Sequence, residues 1–138
     1  MDITGLEDLL INAVNQLALF AMVDSAGRDA APEVLQYPYA SIFFIGDRQI
    51  VLNPRPIDEL RYGIMVSYQH LGSEQEAAAG AYALIDAVRD RINGKTLGAS
   101  DIEPFSVNSR ELLGYEDGII TYLLTIVTNK YQPIPIPD

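Results

Sequence analysis

The run Ile119–Tyr131 (IITYLLTIVTNKY) constrains this chain more than any other feature. β-Branched and aromatic residues dominate it, and its alternation is that of a strand. Typical strands run about 5–6 residues, so this one is long enough to organise a whole sheet. Ile120, Tyr122, Leu124 and Ile126 fall on one face; Ile119, Leu123 and Val127 fall on the other, interleaved with Thr121 and Thr125. Apolar residues on both faces predict that both are covered, by helices or by neighbouring subunits. Glu116-Asp117-Gly118, just before the run, is a hairpin turn signal, so Ile102–Tyr115 is the predicted antiparallel partner.

The rest of the chain supplies further strands and two helices. A helix is predicted to open at Thr4, where Thr4 and Glu7 have capping-box spacing. Leu6, Leu10, Ala13, Leu17 and Phe20 form its apolar stripe, and Asp24-Ser25-Ala26-Gly27 ends it before a loop to Pro38. Tyr39–Ile45 reads as a buried strand closed by Gly46-Asp47. Gln49–Leu52 reads as a short return strand, broken by Asn53-Pro54-Arg55-Pro56. Tyr62, Ile64, Val66 and Tyr68 alternate with Gly63, Met65, Ser67 and Gln69, which is a strand with one packed face.

The second helix starts at Ser73, with Glu76 as its capping-box partner, and stops at Asn93-Gly94. Ala77, Ala81, Leu84, Ile85, Val88 and Ile92 form its core stripe. Ala79, Gly80, Ala83 and Ala87 make a second face of small residues. Close approach by another backbone accounts for all four; high helix propensity on a solvent face accounts for the alanines but not for Gly80. The fold class that follows is α+β: a mixed, mostly antiparallel sheet with two main helices packed on it, in a single domain over residues 1–131.

Residues 132–138 form an extended Pro/Ile C-terminal tail, Gln132-Pro-Ile-Pro-Ile-Pro-Asp138, which can join neither a helix nor a central strand. Ile134 and Ile136 there either pack on their own domain, stay in solvent, or dock on a neighbouring subunit. Together with Ala79, Gly80, Ala83, Ala87, Ile119, Leu123 and Val127, they are the candidate subunit-interface residues.

At 138 residues the chain is the size of one domain, and its 49% apolar and 20% charged residues are globular values. It has no cysteine, hence no disulfide, thiolate metal site or cysteine nucleophile. Met1-Asp2-Ile3-Thr4 lacks the basic start of a signal peptide, and no run of 18 residues is apolar enough to span a bilayer. A net charge of −10 opposes binding to phosphate backbones, which needs clustered Lys and Arg.

No catalytic constellation emerges. His70 is the one histidine; a triad would need it beside Ser67 or Ser73 and an orienting acid, and no G-x-S-x-G elbow exists. One histidine without cysteine leaves zinc or iron short of ligands. The carboxylates show no calcium-loop pattern. Asp86 and Asp90 lie one helical turn apart, but Arg89 and Arg91 interleave them, as on a solvated charged face. There is no Gly-rich phosphate loop, and the eight tyrosines fill core and interface more readily than they stack bases without a basic groove. No catalytic, cofactor or metal residue is therefore assigned.

Several segments carry a family resemblance: Pro38–Gly46 (PYASIFFIG), Tyr62–Tyr68 (YGIMVSY), Ala83–Arg89 (ALIDAVR), Ile92-Asn93-Gly94 and Gly118–Tyr122 (GIITY). In these and in the order of its elements, from the first helix to about Tyr131, the chain resembles the small tail-completion or tail-terminator-type proteins of Mu-like contractile-tailed phages and prophages. The Pro/Ile segment departs from that pattern. The resemblance implies a structural virion subunit in the tail, assembled in the host bacterial cytoplasm. It implies a ring, of six copies, that caps the tail tube and presents a surface to the head connector. The implied partners are the chain itself, tail-tube and sheath proteins, and neck proteins, with no cofactor, membrane or specific nucleic acid. Acidity fits a channel through which DNA passes unbound. The alternatives are another neck or head–tail joining protein, a non-viral oligomeric binding module, or, least favoured, a small hydrolase.

Overall fold

The structure, a computed structural model, describes residues 1–29, 32, 34–52 and 55–132. The elements follow the order α1 (Ile3–Gln16), β1 (Met22–Asp24), β2 (Tyr39–Leu52), β3 (Arg55–Gln69), α2 (Glu74–Ile92), β4 (Ser106–Glu116) and β5 (Ile119–Tyr131). The five strands form one sheet in the order β1-β2-β3-β5-β4. β1 runs parallel to β2 and every other pair is antiparallel, so the sheet is mixed and mostly antiparallel as the sequence predicts.

β5 lies between β3 and β4, with Leu124 opposite Ile64 on one side and Arg110 on the other. Its turn is formed by Asp117 and Gly118, both at positive φ (52° and 77°), the geometry that matches strand twist in a two-residue hairpin. β4 begins at Ser106, later than the predicted Ile102, which makes only an isolated bridge to Lys130.

α1 begins earlier than Thr4. Asp2 is the N-cap, its carboxylate accepting from the Gly5 amide at 2.7 Å. Glu7 is drawn elsewhere: it is 3% exposed, pairs with Arg28 at 2.7 Å and accepts from the Ser25 hydroxyl at 2.5 Å. That link ties the helix to the segment after β1. The helix also ends earlier, at Gln16, and the chain reverses through Ala18 (φ 55°) into β1, which the helical spacing of Phe20 had hidden. Phe20 still packs against the core, from the turn.

β2 does not close at Gly46-Asp47. A bulge between Phe44 and Gly46 absorbs one residue, and the strand continues to Leu52. Gln49–Leu52 is thus the end of β2, and the return strand is β3, which starts at Arg55 and includes Pro56 opposite Val51. Asn53 and Pro54 lie outside the described residues.

α2 follows its predicted limits: the Ser73 hydroxyl accepts from the Glu76 amide at 3.2 Å, and Asn93 and Gly94 (φ 78°) end it. Ala77, Ala81, Leu84, Ile85, Val88 and Ile92 are all buried. Both helices pack on the sheet face that carries Ala40, Ile42, Tyr62, Ile64, Val66, Ile120, Tyr122, Leu124 and Ile126, and these residues form a single core. Tyr62 fixes α1 to β3 by donating its hydroxyl to the Ile3 carbonyl at 2.9 Å. Burial, with Glu7 and Asp2 nearby, pushes that phenol well above its ordinary range. Among the described residues no helix packs on the opposite face of the sheet.

Candidate subunit interface

The small-residue face of α2 divides. Ala79 and Ala83 are exposed and Ala87 is half-buried. Gly80 has an intramolecular cause: a Cβ there would meet Tyr68 Cε1 at 2.3 Å, so the glycine makes room for a ring from β3. Further along the helix Tyr82 is 51% exposed and meets Tyr122 edge to face at 5.9 Å between ring centroids. Burial, reinforced by the hydrogen bond with Tyr82, pushes the Tyr122 phenol up to about 12. Asp86 accepts from Arg110 at 2.7 Å and lies 3.8 Å from Arg89, which also bonds Asp90. These two aspartates are therefore engaged by cations on a solvated face.

The helix-free face of the sheet is built differently. Strand alternation places Tyr39, Ser41 and Phe43 of β2, Gly63, Met65 and Ser67 of β3, and Ile119, Thr121, Leu123, Thr125 and Val127 of β5 on it. Three of the candidate residues therefore share a surface: Ile119 and Leu123 are half-buried and Val127 is buried. The Phe43 ring reaches over Gly63, where an added Cβ would sit 2.4 Å from Cζ. Ser67 and Thr121 join across strands at 2.9 Å.

No Asp, Glu, Lys or Arg occurs in 39–45, 62–69 or 119–127, on a chain that is 20% charged. Charges appear only at the margins. At one end Glu59, between Arg48 (3.0 Å) and Arg61 (3.2 Å), forms a cross-strand ion cluster. Hydrogen bonds from the two guanidiniums hold its carboxyl below the usual range, Arg48 contributing most. Along the side runs β4 with Glu111 and Glu116. A neutral centre with a charged rim is the composition of a protein–protein interface. Phe43, Met65 and the Arg48–Glu59–Arg61 cluster were not singled out from the sequence. The alternation of β3 placed Met65 on this face, but the pairing that brings Phe43 and Arg48 beside it is long-range.

His70 Nδ1 accepts from the Gly72 amide at 2.9 Å and lies 3.6 Å from Glu76, while its ring stacks on Tyr68. The two serines that a triad would recruit are otherwise engaged, Ser67 with Thr121 and Ser73 as the α2 cap. Among the described residues no three His, Cys, Asp or Glu side chains group to hold a metal ion, and no helix is long and apolar enough to cross a membrane. Ile134 and Ile136 lie outside the described residues.

No family model and no curated protein sequence matches the chain. Its structure is similar to that of a chain in the virion of the native gene transfer agent (GTA) particle, with a TM-score of 0.65 at 14% identity. The likeness covers 94% of this chain and 95% of that one. The two share the α+β fold from end to end.

Proposed function

We propose that this chain is a structural subunit of a phage-type virion, a tail-terminator or completion protein. About six copies close a ring on the end of the tail tube, stop its growth and offer a surface to the head connector. The observation that carries this reading is the end-to-end fold likeness to a chain of a gene transfer agent virion. The uncharged, helix-free sheet face supports it, because that face has the composition of an interface core. Its contacts are with copies of itself, with tube and sheath proteins and with neck proteins. A ring of such acidic subunits (net charge −10 each) would repel DNA passing through its channel.

The test is electron microscopy of particles assembled without the chain. Tubes that grow beyond their normal length, or tails without heads, are the expected result, and restoring the chain should restore tail length. Tails of normal length joined to filled heads would reject the terminator reading.

A further inference from the structure

We draw no further inference here: the strongest candidate, the groove between α2 and β4 lined by Tyr82, Ile85, Asp86, Arg110 and Tyr122, is an unpartnered surface whose Asp86 and Arg110 already pair with each other, and nothing in the structure shows what covers it.

Discussion

Single side chains decide where this fold begins and how closely its layers approach. The carboxylate of Asp2, not the hydroxyl of Thr4, caps α1 by accepting from the Gly5 amide in its first turn. Asp2→Ala should therefore lower stability by about 1 kcal/mol, while Thr4→Ala should leave it unchanged. Thermal unfolding of the two variants checks this, and equal losses would return the cap to Thr4. Gly80 poses the opposite question, because alanine is normally the better helix former by about 1 kcal/mol. Here the added methyl meets the Tyr68 ring, so Gly80→Ala should destabilise by about 1–3 kcal/mol despite its higher propensity. Pairing it with Tyr68→Ala should recover most of that loss in a double-mutant cycle. If the two losses simply add, Tyr68 is not the obstacle.

At the level of elements, glycines that look alike in sequence have different roles. Gly118 sits at φ 77° in the β4–β5 turn, and a Cβ there would lie 3.0 Å from the His70 carbonyl oxygen. Gly46 sits in the β2 bulge with open space around it. Gly118→Ala should cost about 1–2 kcal/mol and Gly46→Ala little, as denaturant midpoints would show. Equal costs would mean that the bulge, too, needs its glycine. The β2–β3 ribbon has a pH signature. Arg48 and Arg61 depress the Glu59 carboxyl in the folded state, so its contribution is present above the ordinary carboxylate pKa and is lost as pH falls through the lowered one. Glu59→Gln should thus reduce stability at neutral pH and flatten the acid limb of the pH–stability curve; an unchanged acid limb would remove Glu59 as its source. Sequence showed α2, its cap, its stripe and the β4–β5 turn because each is set by neighbours within one or two turns. It missed β1, since three residues carry little periodicity. It misread Gly46 as a stop because a bulge and a turn begin with the same residue. On the helix-free sheet face Ile119, Leu123 and Val127 were legible from alternation alone, whereas Phe43 and the Arg48–Glu59–Arg61 cluster needed the β2–β3 register.

For the whole molecule the tension lies between charge and association. Each copy carries −10, so a ring of about six gathers several tens of negative charges, and their mutual repulsion opposes closure. The proposed contact surface itself is of another kind: an uncharged sheet face, whose attraction comes from apolar burial and does not depend on ionic strength in this way. Salt should therefore act almost wholly on the repulsion. The Debye length falls from about 30 Å at 0.01 M to about 10 Å at 0.1 M, which is the change from feeling a neighbour's whole charge to feeling only its nearest groups. Association should accordingly strengthen as salt rises over that range, with the population shifting toward the full ring. An interface held by ion pairs between copies, for instance Arg48 or Arg61 of one against Glu111 or Glu116 of the next, behaves in the opposite sense, because screening weakens it. Sedimentation velocity at a fixed protein concentration across the two salt levels separates the cases. A larger assembled fraction at 0.1 M supports an apolar joint under electrostatic strain, and dissociation at the higher salt would transfer the interface from the neutral centre of the sheet to its charged rim.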